Sequence, residues 1–248
     1  MILYFTGTGN SLAVAQKLAS ATGDSLMPLA EAAGKDLSAE ECIGLVYPCY
    51  DFNTPPAVRD LVARLHLNAK AYLFIVVTCG AQTGNSIWSV RQLLRKQGVR
   101  VAYCHKIRMP DNCATLFGRN PNDQLWKLEK YAPRLEQIAA DIKARRRCHH
   151  FGTPGLAGWL TGIPALEHKI LGAFKPQVNA DLCVGCGLCV KTCPISNITL
   201  DDLSHAAIGT ACTACLGCLH ACPHQAIQVG GKPVPKERQY RHPESINR

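Results

Sequence analysis

Residues 2–18 read ILYFTGTGNSLAVAQKL. Ile2–Thr6 is a short apolar run of the kind that forms a buried strand. Leu12–Leu18 is built from good helix formers. Between them Thr6, Gly7, Thr8, Gly9, Asn10 and Ser11 make a tight strand-to-helix turn. Such a turn points backbone N–H groups and hydroxyls at one spot, and the helix N-terminus adds partial positive charge there. The turn therefore predicts a phosphate site. A dinucleotide fingerprint needs Gly or Ala where this chain has Leu12, and no Lys-Ser/Thr pair follows as in a Walker loop. No Lys or Arg lies in the turn, so amides and hydroxyls form the site, which suits a phosphate monoester.

The rest of the N-terminal half agrees with this reading. Apolar runs follow at Glu41–Pro48, Ala71–Cys79 and Val99–Met109, with a weaker one near Ser25–Ala30. Helical stretches separate them at Pro56–His66, Ser86–Gln97 and Asn122–Arg147. Alternating strand and helix predicts an α/β domain with a parallel sheet covered on both faces. The turn resembles the flavodoxin phosphate loop, T/S-x-T-G-x-T, with Ser11 in the last place. That resemblance implies a flavodoxin-like, doubly wound, five-stranded parallel sheet of order 2-1-3-4-5, with FMN at the switch point. It also implies that the loops after strands three and four hold the flavin ring. These supply Pro48, Cys49 and Tyr50 from one side and Thr78, Cys79 and Gly80 from the other. Flavodoxins often stack an aromatic from the second loop on the ring. None is present here, so Tyr50 or Phe52 becomes the stacking candidate.

Near the other end, residues 183–194 read CVGCGLCVKTCP and residues 212–223 read CTACLGCLHACP. Cys183, Cys186, Cys189 and Cys193 recur as Cys212, Cys215, Cys218 and Cys222, each 29 positions on. Ile198 and Ile227 keep the same offset. Both runs read C-x2-C-x2-C-x3-C-P, in which three closely spaced thiolates wrap one iron–sulfur cubane and the fourth ligates the other. One [4Fe–4S] cluster then takes Cys183, Cys186, Cys189 and Cys222, and the second takes Cys212, Cys215, Cys218 and Cys193. Gly185, Gly187 and Gly217 suit loops whose backbone passes close to sulfide. Zinc fits poorly, since its sites use separated C-x2-C pairs or histidines. The run resembles the bacterial two-cluster ferredoxins over residues 175–235. This small α+β domain is expected to have short strands flanking each loop, 177–179 with 198–200 and 206–208 with 227–229. Metal ligation is expected to provide much of its folding free energy.

The chain has 248 residues and 14 cysteines. No leader sequence is read at its start. No apolar run approaches the roughly 20 residues of a membrane span. A cytoplasmic setting is expected, where so many cysteines point to metal or redox chemistry. The expected division is a flavodoxin-like FMN-binding domain over 1–150, a linker and short helix over 151–174 with the linker at Gly152–Gly158 and a helix at Pro164–Phe174, a ferredoxin domain over 175–235, and a basic tail over 236–248. The tail is either disordered or folds back through Arg238, Tyr240 and Arg241. The net charge of +9 favours an acidic face on a redox partner. Arg145, Arg146 and Arg147 end a helix, where cations are favoured, and no nucleic-acid-binding module accompanies them. Cys42 and Cys79 read as small core residues. Cys104-His105 and Cys148-His149-His150 lack the spacing of a chelate.

With a flavodoxin unit, a ferredoxin unit, MPDN at Met109–Asn112 and RQYRHP at Arg238–Pro243, the chain resembles the EFR-type flavodoxin–ferredoxin fusion proteins of anaerobes. That resemblance implies electron transfer between two [4Fe–4S] clusters and FMN, serving a redox partner protein. The alternative is a flavin-dependent reductase of a small electrophile, a quinone or a flavin, fed by its own clusters. A redox sensor is a third reading, against which the separate flavin site argues.

Overall fold

The structure, a computed structural model, describes residues 1–148 and 163–245. Its larger sheet has five parallel strands: β1 (Ile2–Tyr4), β2 (Leu26–Pro28), β3 (Cys42–Pro48), β4 (Tyr72–Cys79) and β5 (Val101–Arg108). Their order is β2-β1-β3-β4-β5, the flavodoxin-like order. Every residue of β4 is buried. This is the continuous apolar pattern of a strand covered on both faces. Along it, Phe74 and Val76 face one core with Val14 and Leu18 of α1 (Asn10–Thr22). Ile75 and Val77 face the other with Val62 of α2 (Pro56–Ala63) and Leu94 of α3 (Ser86–Lys96). The long helix α4 (Trp126–Lys143) adds Leu135 and Ile138 to the first core.

Several boundaries differ from the sequence reading. The expected helix from Asn122 starts at Trp126, because Asn112–Phe117 and Pro121–Gln124 form 3-10 turns instead. Asn120 caps the second turn by accepting from the Asn122 amide. A short parallel pair, Asp36–Leu37 with His66–Leu67, lies outside the main sheet and is too brief to show as a sequence pattern. The expected linker at Gly152–Gly158, and His149 and His150, lie outside the described residues. Among the described residues no helix is long and apolar enough to cross a membrane.

Helix α5 (Pro164–Ala173) begins with Pro164 in its first turn. Glu167 on α5 accepts from both terminal nitrogens of Arg59 on α2, at 2.6 and 2.5 Å. This bidentate pair ties α5 to the sheet domain. Beyond it come strands β6 (Gln177–Val178), β7 (Ile198–Leu200), β8 (Ala206–Ile208), β9 (Ile227–Val229) and β10 (Lys232–Pro233), with helices α6 (Leu188–Thr192) and α7 (Gly217–Ala221). The strands pair differently from expectation. β7 pairs with β8, and β9 pairs with β6 and β10, all antiparallel. The short loop Asp201–His205 folds β7 onto β8 as a hairpin, so the outer strands of the repeat are left for each other. Each repeat is thus stitched to the other along its backbone. The core of this unit contains Cys189, Cys218 and Cys222 beside Ile198, Leu219 and Ile227.

Of the tail, residues 236–245 are described, and they fold back across the junction of the two units. Tyr240 is among the most buried side chains of the protein.

Candidate redox site

The loops at the C-terminal ends of the parallel strands build the site. Gly9 begins α1 with φ of 97°, a left-handed conformation that favours glycine, and no side chain caps the helix. The first-turn amides of α1 have no partner within the helix, which leaves them for an anion. Thr6 Oγ1 accepts from the Gly9 amide at 3.1 Å and holds the turn closed. The buried Ser11 hydroxyl meets the Thr78 hydroxyl at 2.8 Å, joining this turn to the loop after β4. Thr6, Gly7, Thr8, Asn10 and Ser11 share one small cavity with Pro48, Cys49, Tyr50, Thr78, Cys79 and Gly80. Gly9 is the one residue of the predicted turn that does not line it. A Cβ at Gly9 would lie 2.1 Å from Ser245 Oγ, so this glycine makes room for the tail.

A second cavity of about 310 Å³ adjoins the first and shares Cys49, Tyr50, Gly80, Asp111 and Asn112 with it. Phe52, Phe117 and Phe174 supply aromatic wall, with Ala214 and Leu216 from the second cysteine loop. Phe117 and Phe174 meet edge to face at 5.9 Å. Sequence reading missed Asp111, Cys113, Phe117 and the contribution of residues 214–216. The MPDN stretch was the one available signal for Asp111. Nothing in the local pattern announces that a loop more than 100 residues downstream completes the wall. Burial, followed by the nearby Asp111 and Asp51 carboxylates, pushes the Cys113 thiol up to about 12. Burial also pushes the Cys49 thiol well above its usual range. Both thiols are therefore neutral near pH 7.

The cysteines gather in two sets. Cys183, Cys186, Cys189 and Cys222 line one small cavity. Cys193, Cys212, Cys215 and Cys218 line another. Each set draws three thiols from one repeat and one from the other. Among the described residues, no group of three or more His, Cys, Asp or Glu stands close enough to hold a single metal ion. The thiols surround space instead. Backbone amides already point at two sulfurs, Ala206 N to Cys183 Sγ at 3.4 Å and Asn197 N to Cys193 Sγ at 3.2 Å. Burial pushes the bare Cys215 thiol up to about 12, so only a cation at this position would hold it as thiolate. Thr213 Oγ1, in the same loop, is buried without a partner. The second loop makes the same turn without glycine at these positions. Gly185 and Gly187 take positive φ in the first repeat, but their counterparts are Ala214 and Leu216, at 54° and 61°. Gly217 serves another purpose: a Cβ there would lie 2.7 Å from the Gly7 carbonyl oxygen.

The phosphate turn and the second cysteine loop are thus in direct contact. A Cβ at Gly7 would lie 2.6 Å from Cys215 O and 3.1 Å from the Tyr50 hydroxyl. Asn112 Nδ2 donates to Cys215 O at 3.2 Å. Buried His220, on α7, accepts at Nδ1 from the Tyr240 amide, so its Nε2 carries the proton and donates to Asn112 O at 3.0 Å. Burial holds His220 down to about 4, which keeps it neutral in this role. The tail completes the seam. The Tyr240 hydroxyl donates to Asn10 Oδ1 at 2.6 Å, and the His242 amide donates to Thr8 O at 2.8 Å. Replacing Tyr240 with Phe leaves a partly buried acceptor at Asn10 without this donor. The expected loss is about 1–3 kcal/mol, read as a lower urea midpoint; an unchanged midpoint would show that the tail is not a structural part of the turn.

Tyr50 stands between the two parts. It lines both flavodoxin-side cavities and is partly buried, and its buried hydroxyl has no partner. Burial holds the phenol well above its usual range, and charge on Cys215 and Cys212 raises it further. A buried donor of this kind needs an acceptor, and Cys215 is its neighbour, since a Cβ at Gly7 would lie 3.1 Å from the Tyr50 hydroxyl and 3.2 Å from Cys215 Cβ.

Residues 182–227 match the 4Fe-4S dicluster domain family. The chain is 39% identical over 66 residues to YccM of Escherichia coli, covering 27% of this chain and 17% of that protein. It is 53% identical over 32 residues to the ferredoxin-type protein NapF of Haemophilus influenzae, covering 13% of this chain and 18% of that one. An uncharacterized ferredoxin of Methanocaldococcus jannaschii is 31% identical over 71 residues, which is 27% of this chain and 38% of that one. The chain spans less than two-fifths of the length of each of these relatives. Megasphaera elsdenii flavodoxin superposes with a TM-score of 0.41 at 17% identity, over 58% of this chain and 97% of that one. The fold of the N-terminal unit rests on its strand order rather than on that likeness. The chain joins a flavodoxin-like α/β domain to a 4Fe-4S dicluster ferredoxin domain.

Proposed function

We propose that this chain is a cytoplasmic electron-transfer protein that moves electrons between two [4Fe–4S] clusters and FMN for a redox partner protein. The observation that carries this reading is the shared wall: Ala214 and Leu216 lie between Cys212, Cys215 and Cys218 in sequence and line the cavity proposed for the flavin ring. Clusters pass single electrons whereas a flavin takes one or two, so pairing them converts between the two kinds of transfer. The uncapped turn of α1, with Thr6, Thr8 and Ser11, would hold the phosphate without a cation. Phe52 and Phe117 would flank the ring. The two cysteine sets would hold the clusters, with cluster I at Cys183, Cys186, Cys189 and Cys222, and cluster II at Cys212, Cys215, Cys218 and Cys193.

The test is anaerobic reconstitution with iron, sulfide and FMN, followed by analysis of each per chain and by EPR. Two cubanes and one FMN per chain support the reading. Two cubanes without flavin, even at excess FMN, leave a ferredoxin joined to a scaffold and sink it.

Tyr50 offers a finer check. If its hydroxyl donates to cluster II, Tyr50→Phe removes a hydrogen bond that favours the reduced, more negative cluster. About 1 kcal/mol lost there lowers the cluster II potential by roughly 40 mV for a one-electron couple. EPR-monitored potentiometry reads it. Unchanged cluster potentials with weakened flavin binding would place the hydroxyl on the flavin instead.

A further inference from the structure

The cluster II loop, as proposed above, abuts the sheet domain, where a Cβ at Gly7 would lie 2.6 Å from Cys215 O, whereas the cluster I set includes the exposed Cys186. Among the described residues, Cys186 is the one exposed cysteine. Around it stand large apolar side chains left in solvent: Leu182 at 42%, Val184 at 62%, Leu200 at 42% and Leu203 at 76% exposed. Val184 and Leu200 line the same cavity as Cys186. A Cβ at Gly185 would lie 2.5 Å from Ser204 O, so the loop that carries Val184 and the loop that carries Leu203 are in contact. Single exposed leucines need no explanation, but a contiguous apolar patch over a redox centre marks an interaction surface.

The charge around this patch runs against that of the whole chain. Residues 175–235 contain three Lys and three Asp and no Arg or Glu, so the chain's net +9 lies elsewhere. The three aspartates all sit in the patch loops: Asp181 beside Leu182, and Asp201 and Asp202 between Leu200 and Leu203. All three are exposed. Asp201 also holds its loop by accepting from the Leu203 and His205 amides at 3.0 and 2.8 Å. Exposed Lys191 on α6, exposed His224 and partly buried His205 in the Asp201 loop are basic groups of the same region.

We propose that the redox partner docks over Cys186, and that it presents an apolar patch rimmed by lysine or arginine. The exposed leucines and Val184 would give the contact its dry centre, and the aspartates its steering and orientation. This rests on the electron-transfer reading and the cluster I assignment. It differs from the expectation drawn from net charge, because a partner senses the field of the docking face within about 10 Å at moderate ionic strength rather than the chain total.

The test uses the reconstituted full chain, with both clusters and flavin verified by EPR and absorbance, photoreduced anaerobically. Ferric cytochrome c, a one-electron acceptor with a lysine-rimmed haem edge, is the probe. One electron leaves the reduced cluster and converts haem iron(III) to iron(II), with no proton moved. The second-order rate is expected to fall several-fold as ionic strength rises. Replacing Asp181 and Asp202 together by Lys is expected to lower it about tenfold at low salt, with the EPR spectra unchanged. Leu203→Ser is expected to slow it at all salt concentrations. A rate that rises with salt would show that the net +9 governs the encounter and would overturn the proposal. A rate indifferent to the Asp→Lys changes would place the exit at the flavin mouth and overturn it as well. Absence of clusters after reconstitution would instead refute the electron-transfer reading itself.

Discussion

Iron removal is expected to unfold the C-terminal unit and leave the five-stranded sheet standing. The strands of that unit are two or three residues long, and its core includes Cys189, Cys218 and Cys222. A unit this small has little apolar area to offset its chain entropy. In small domains of this kind, metal ligation supplies folding free energy on the scale of about 10 kcal/mol. The N-terminal sheet has two apolar cores of its own and needs none of that. Hydrogen exchange on chelator-treated protein should therefore show lost protection across 177–229 and retained protection in β3 and β4. The contacts Asn112–Cys215, His220–Asn112 and Tyr240–His220 should be lost together, because all three need α7 or the loop before it in place. Retained protection at β7–β9 in iron-free protein would show that the unit folds on its apolar core alone.

The second large effect is expected at Gly7. A Cβ there would meet Cys215 O at 2.6 Å, with the Tyr50 hydroxyl and Cys215 Cβ at 3.1 and 3.2 Å. Backbone cannot yield as a flexible side chain can, so Gly7→Val must push the turn away from the second cysteine loop. Overpacking of this kind costs about 1–3 kcal/mol. Part of that cost falls on the turn proposed to hold phosphate, so FMN affinity should drop about 10- to 100-fold. Gly217→Ala approaches the same contact from the other side, at 2.7 Å from Gly7 O, and should act in the same direction. Gly172→Ala in α5, where a Cβ meets nothing within 4 Å, is the control. Flavin fluorescence titration reads all three. Equal affinity in Gly7→Val and Gly172→Ala would mean that the turn does not bind the flavin.

The legible parts of this molecule are those with short-range causes. The β4 run YLFIVVTC is almost wholly apolar because the strand is covered on both faces, so its interior position shows in the sequence. The turn Thr6–Ser11 is legible because a strand-to-helix reversal has few solutions. The cysteine sets are legible because three of four thiols come from adjacent residues. What stayed hidden depends on contacts distant in sequence. Gly217 looks like a loop glycine, yet its lack of a side chain admits Gly7, some 210 positions upstream. Leu216 gives no sign that it takes a left-handed conformation and lines a cavity of the other unit. The strand pairing was misjudged because four short strands with a 29-residue repeat permit pairing within or between repeats, and only the brevity of the Asp201–His205 loop decides it. Tyr240 and Asn10 are 230 positions apart. Their hydrogen bond closes the chain on itself, and no local pattern foretells it.

The central claim is that the second cysteine loop and the flavin cavity share a wall so that electrons cross within one molecule. Flash photoreduction of the reconstituted chain, with cluster and flavin absorbance followed together, tests this directly. The account predicts flavin reduction that follows cluster reduction with a first-order rate independent of protein concentration. A rate that rises in proportion to protein concentration, or clusters that stay reduced beside an oxidised flavin, would contradict it.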